Sequence, residues 1–229
     1  MDTKQSAWFE GLKIFTLVWM AFVIIAALLV APEATGFVST SKVIFFHVPV
    51  AWVAVLAFLV SAVYSILYLR RRKMEYDLWS SSSATLGFLF AILATITGSM
   101  WAKNEWGSYW NWDPRETSIV ILLLIYAAYF ALRSAIESPE NKAQLSAVYS
   151  ILAFVTVPFL IFVVPRVIFT LHPQNPIFAN EAKQKMTPAI RWVFFSSLFA
   201  FSLLYYWILR LKVDVERIKQ SLHQTGEVK

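Results

Sequence analysis

Six runs of about 20 apolar residues, separated by short polar segments, follow one another along the chain. They lie near Leu12 to Ala31, Pro49 to Leu69, Ala84 to Ala102, Thr117 to Ile136, Leu145 to Val164 and Pro188 to Leu209. A bilayer core of about 30 Å needs roughly 20 helical residues at about 1.5 Å rise each. The pattern therefore predicts an all-α integral membrane protein with six transmembrane helices and no soluble domain. The first run ends at Ala31, Pro32 and Glu33, a context unlike a cleavage site, so it reads as an anchor rather than a removed signal peptide. No repeat of fixed period is evident, and residues 1–229 are read as one six-helix membrane domain.

Capping chemistry places several helix starts. Asp113, Pro114, Arg115 and Glu116 read as N-cap, N1 proline, N2 and capping-box acid, so the fourth helix should begin there. Ser138 before Pro139 and Thr187 before Pro188 predict the same for the fifth and sixth. In the second run, a helix from Val43 to Leu69 would overshoot the bilayer, whereas one from Pro49 to Leu69 spans about 31 Å. That choice puts His47 just ahead of the helix. Pro158 is the one mid-span break and predicts a kink in helix five.

Composition agrees with the pattern: 59% of the 229 residues are hydrophobic, 17% aromatic and only 15% charged, where a soluble domain has about 25% charged. The net charge of +6 is then a topology signal. Alternate sides of the six spans carry 13 and 7 Lys and Arg. The richer side predicts the cytoplasm, with both termini inside and loops one, three and five outside. The basic run Arg70 to Lys73 is accounted for in this way, so nucleic acid is rejected as its partner. With no cysteine, thiolate metal sites and thiol redox chemistry are excluded. The chain has no P-loop pattern, so any ATP-driven step belongs to another subunit. In the cytoplasmic tail, about 210–229, Leu211, Val215, Ile218 and Leu222 recur at helical spacing among Lys212, Arg217 and Lys219. This predicts that helix six continues along the inner surface, against lipid or a nucleotide-binding partner.

The candidate chemistry lies outside. Between Trp101 and Asp113 stand four Trp and one Tyr, too many for an interfacial belt alone. If 105–113 were helical, Trp106, Tyr109 and Trp110 would share a face and form a shelf for a planar ligand. Asp113 and Glu116 are read as caps before ligands. Of three histidines, His223 is a tail residue, while His47 in loop one and His172 in loop five fall on the face of the Trp block. From the residues alone, this pair fits interfacial imidazoles or metal ligands equally well. Haem would use all three features, with iron between two imidazoles, porphyrin on the aromatic shelf and propionates on cations. The nearest outward cations are Lys42, Lys103 and Arg115, and Lys103 suits lipid phosphates equally. A dihaem electron carrier would need paired histidines inside the spans, and a secondary transporter would need mid-span ionisable groups; the six runs carry neither. A structural transporter subunit without haem is the plainest alternative.

The stretch WGSYWNWDPRET (106–117) resembles the tryptophan-rich WWD signature of haem-handling membrane proteins. Together with KVIFFHVP (42–49) and LHP at Leu171 to Pro173, it is similar to the cytochrome c maturation protein C family, also called haem exporter protein C. The resemblance spans nearly the whole chain. It implies that His47 and His172 are axial haem ligands and that Lys42 and Arg115 assist haem. It also implies that haem b is held on Trp106, Tyr109, Trp110, Trp112 and Asp113 of the WWD loop, about 101–116. The implied setting is the bacterial inner membrane with a periplasmic working face. The implied activity is delivery of haem to a periplasmic haem chaperone rather than enzymatic turnover, alongside ABC transporter subunits and a small single-span protein. Two departures mark this chain. Lys42 replaces the family's arginine and lacks the bidentate fork. Tyr109 replaces a Trp, as in the cytochrome c synthase branch of the superfamily, whose longer members carry an extra histidine pair within the membrane.

Overall fold

Each apolar run lies within or along a helix, and most of those helices outrun it. The computed structural model describes residues 7–30, 41–172 and 187–225, and these form helices and connecting loops with no strand among them. Six helices are long and apolar enough to cross a membrane. They are α1 (Ala7–Leu29), α2 (Ile44–Arg71), α3 (Met74–Trp106), α4 (Pro114–Ala135), α5 (Pro139–Val167) and α6 (Pro188–Thr225). The expected multi-pass membrane architecture is thus borne out. Lys4, Lys183, Lys185 and Lys229, used in the charge tally, lie outside the described residues, as does Pro173.

The caps behave as capping chemistry requires. Asp113 and Glu116 form a reciprocal capping box at α4, with Pro114 at the first helical position. Ser138 accepts from the Asn141 N–H at α5, and Thr187 accepts from the Ile190 N–H at α6. Pro158 does interrupt α5, which passes into a π-helical segment at Phe159–Val163.

The expected start of α2 is corrected. The helix begins at Ile44, with Pro49 inside it and His47 on its first turn rather than ahead of it. Proline has no N–H, so Pro49 leaves the carbonyl of Phe45 without a partner in its own helix. Ser197 Oγ, from α6, donates to that carbonyl. A neighbouring helix thus supplies the missing bond, which is what lets a membrane helix carry an internal proline.

Small residues set the packing. Ala54, Ala57 and Ser61 of α2 face Ser83, Ala84, Gly87 and Ala91 of α3, so the two backbones approach closely. A Cβ on Gly87 would lie 2.6 Å from the Phe58 ring, and that ring stacks at 3.6 Å on Tyr126 of α4. Serine hydroxyls bond across helices: Ser61 to Ser80 and Ser150, Ser65 to Ser80, and Ser83 to Tyr205. Arg133 of α4 grips Asp77 of α3 through two bonds of 2.7 and 2.9 Å. The central helix is α2, packed on α3, α5 and α6, while α1 lies mainly against α6. At its far end α6 stays continuous to Thr225 and is tied to α3 by Arg217 and Glu75, 2.6 Å apart. His223 falls on its last turns.

Candidate functional site

The end of α3, the loop 107–113, the start of α4, the segment after α5 and the first turn of α2 converge at one end of the bundle. The helix α3 stops at Trp106 because Gly107 takes the left-handed conformation (φ 76°) and donates to the Lys103 carbonyl. Residues 107–113 are therefore a loop, which corrects the helical shelf expected over 105–113. Trp106 turns toward His172, with ring centroids 4.9 Å apart, and separates from Tyr109 and Trp110. Trp110 meets Trp112 edge-on at 5.8 Å. Tyr109 and Trp112 are exposed, and Lys103 Nζ sits 5.5 Å over the Tyr109 ring. Trp112 holds a left-handed backbone (φ 56°), costly for a bulky side chain, immediately before the α4 cap.

Asp113 is the hub. Its fully buried carboxylate accepts from Arg115 N–H at 2.9 Å, Leu171 N–H at 2.7 Å, Thr170 Oγ1 at 2.8 Å and His172 Nδ1 at 2.9 Å. One residue thus caps α4 and anchors the segment 170–172. Burial alone would push its carboxyl upward, but the bonds from Arg115, Leu171 and Thr170 and the nearby His172 outweigh it and hold it below the ordinary carboxylate value. His172 is drawn below the ordinary imidazole value, chiefly by burial and also by Arg115, against the opposing pull of Asp113. Asp113 accepts the Nδ1 proton of the neutral imidazole, so Nε2 keeps its lone pair.

His47 is held in a parallel way with a weaker partner. Thr97 Oγ1 donates its single proton to the Leu93 carbonyl at 2.8 Å, so its oxygen accepts from His47 Nδ1–H at 2.9 Å. Here too Nε2 is left as the lone-pair nitrogen. The ring lies on Gly98, where a Cβ would come 2.9 Å from His47 Cε1. Trp101, three residues beyond Gly98 and about 4.5 Å further along α3 by helical rise, packs its ring 5.8 Å from His172. The face of α3 bearing Thr97, Gly98 and Trp101 therefore carries both histidines. They lie within electrostatic range of each other, and Arg115 within range of both.

Among the residues read from the sequence, the structure assembles His47, His172, Trp106, Asp113 and Arg115. Trp110 and Trp112 pair with each other, Tyr109 lies under Lys103, and Lys42 donates to the Leu28 carbonyl at 2.7 Å, tying the turn before α2 to α1. Sequence reasoning missed the orienting groups: Thr97, Gly98, Thr170, Ser197 and the specific contact of Trp101. It also passed over Arg166, which lies within electrostatic range of Arg115. A Thr-Gly pair interrupting an apolar helix one turn before Trp101 was the available signal.

Fold and site together define a multi-pass helical membrane protein that presents two oriented imidazoles beside an aromatic cluster and a half-buried cation. The chain belongs to the Heme exporter protein C family, whose model matches residues 3–227. It is 41% identical over 117 residues to Heme exporter protein C of Rhodobacter capsulatus, covering 51% of this chain and 48% of that one. It is 32% identical over 184 residues to the protein of the same name from Paracoccus denitrificans, covering 80% and 76%. The Bradyrhizobium diazoefficiens protein of that name is 32% identical over 169 residues, covering 71% and 64%. The matched region thus spans about half of the first relative's length and about three quarters of the second's. The family resemblance read from the sequence is borne out.

Proposed function

We propose that this chain binds haem b as cargo, with His47 and His172 as its two axial ligands, and delivers it to a periplasmic haem chaperone during cytochrome c biogenesis. The observation that carries this reading is the placement of the two rings: each Nδ1 lies 2.9 Å from an oxygen, Thr97 Oγ1 or Asp113 Oδ1, which can take its proton and leave Nε2 to donate to iron. Among the described residues no third His, Cys, Asp or Glu joins them to complete a cage for a bare ion, whereas porphyrin brings four equatorial nitrogens of its own. Arg115 supports the fit, since its buried Nε has no hydrogen-bond partner and a propionate would supply one. Membership of the Heme exporter protein C family supports haem as the cargo.

In this reading Trp101 and Trp106 flank the His172 side of the porphyrin. Trp110, Trp112 and Tyr109, lying further out, meet the chaperone. Lys42, already bonded to Leu28, steadies the loop that leads into His47. The charge asymmetry supports a periplasmic position for this end of the bundle, in the bacterial inner membrane. The chain offers no P-loop, so ABC transporter subunits, with a small single-span protein, supply any nucleotide-driven step. The test is the visible spectrum of the protein purified with its haem, oxidised and reduced. A low-spin six-coordinate spectrum should turn high-spin, with lower occupancy, in His47→Gly and His172→Gly, and added imidazole should partly restore it. His223→Gly should match wild type. Full occupancy and an unaltered low-spin spectrum in both variants would refute the assignment.

A further inference from the structure

The two imidazoles are held unequally, electronically and mechanically. His172 gives its Nδ1 proton to a carboxylate, which raises the basicity of the ring and strengthens Nε2 as a donor. Three bonds from consecutive residues, Thr170 Oγ1, Leu171 N–H and His172 Nδ1, bind that segment to Asp113, itself locked into the α4 cap. His47 is backed only by neutral acceptors, the Thr97 hydroxyl and the Ala94 carbonyl, and the hydroxyl's own hydrogen turns to the carbonyls of its helix. It rides on the single turn of α2 upstream of Pro49, where one rung of the helical ladder is missing and Ser197 of another helix stands in for it. No side chain caps that turn at Val43.

We propose that haem release is ordered: His47 is the exchangeable axial ligand and opens first, while His172, backed by Asp113, holds the iron until the cargo leaves. The proposal rests on the reading that these two histidines are the ligands. In the exchange step the lone pair of His47 Nε2 leaves the iron, and the lone pair of an incoming neutral donor, such as an acceptor protein's imidazole, takes its place. No electron or proton changes hands, so the step needs no oxidant or reductant. The freed His47 keeps its Thr97 bond, or swings out on the turn before Pro49.

Free imidazole is the probe, added to the haem-loaded protein. His47→Gly in imidazole should keep most of its restored haem through washing. His172→Gly in imidazole should lose about ten- to hundred-fold more, the range expected when a ligand loses the outer-shell support that Asp113 gives. In stopped-flow mixing, Thr97→Val and Ser197→Ala should each speed imidazole uptake about tenfold, within the range for altered partners of a ligand. Thr97→Ser, which keeps the acceptor oxygen, should restore the wild-type rate, a rescue that general loosening of the helix would not give. Equal haem retention in the two glycine variants, better retention in His172→Gly, or a wild-type exchange rate in Thr97→Val would overturn the order while leaving bis-histidine ligation standing. Unaltered low-spin spectra in both glycine variants would instead remove the ligand reading, and this proposal with it.

Discussion

Gly98 leaves no room for a methyl group. A Cβ there would lie 2.9 Å from His47 Cε1, 3.6 Å from Nδ1 and 3.7 Å from Nε2. Ordinary carbon contacts begin near 3.5 Å, so the ring must retreat by about half an ångström. It cannot retreat without disturbing the bond from Nδ1 to Thr97, which sits on the same helix as Gly98. Overpacking of this kind costs about 1–3 kcal/mol, equivalent to about a 5- to 150-fold loss of the ligating geometry. Gly98→Ala should therefore bind haem with that loss of affinity and a mixed-spin spectrum, while the helical fold persists. The assay is haem titration of the purified apoprotein, followed by visible absorbance, with circular dichroism as the control on folding. Wild-type affinity and a pure low-spin spectrum in Gly98→Ala would refute the packing of His47 on α3.

Asp113→Asn keeps the size of the side chain but replaces one acceptor oxygen with a donor; haem affinity should fall about ten- to hundred-fold, measured by the same titration. Arg133→Ala strands the Asp77 carboxylate within the bundle and should cost about 3–5 kcal/mol of stability, read from thermal unfolding in detergent. Acid should act through both site groups. His172 lies below its ordinary value, so its stabilising neutral form is complete above about pH 6.5 and is lost as pH falls through the lowered folded value. Asp113, also lowered, keeps its contribution above the ordinary carboxylate range and loses it only at still lower pH. Haem retention should thus be flat above about pH 6.5 and decline below it, and a decline on the alkaline side near pH 8 would contradict this. For topology, cysteines introduced at Ser108 and, separately, Ser138 should react with an impermeant thiol reagent from the periplasm only at Ser108.

The six spans were legible because a membrane imposes one demand, runs of apolar residues matched to its thickness, and the sequence meets it six times. The caps were legible because Asp113, Ser138 and Thr187 do chemistry within three residues of themselves. The start of α2 was not. Pro49 argues locally for a break, and only Ser197, distant in sequence and adjacent in space, cancels that argument. The aromatic block stood out as a candidate site, but its internal geometry turned on Gly107, whose left-handed cap ends α3 and sends Trp106 one way and Trp110 and Trp112 another. The histidines could be paired by topology, yet their orienting partners could not, since Thr97 and Asp113 reach them across 50 and 59 residues. Asp113 shows the limit well: read as a cap, it is a cap, and it also holds His172, which the sequence placed in another loop.

The central claim is that one iron sits between Nε2 of His47 and Nε2 of His172. An experimental structure of the haem-loaded protein in a lipid nanodisc tests it most directly. Iron should lie at bonding distance from both Nε2 atoms, with Nδ1 of His47 still on Thr97, Nδ1 of His172 still on Asp113 and a propionate on Arg115. Iron bound through either Nδ1, or haem lying on Trp110 and Trp112 with both imidazoles unligated, would contradict it.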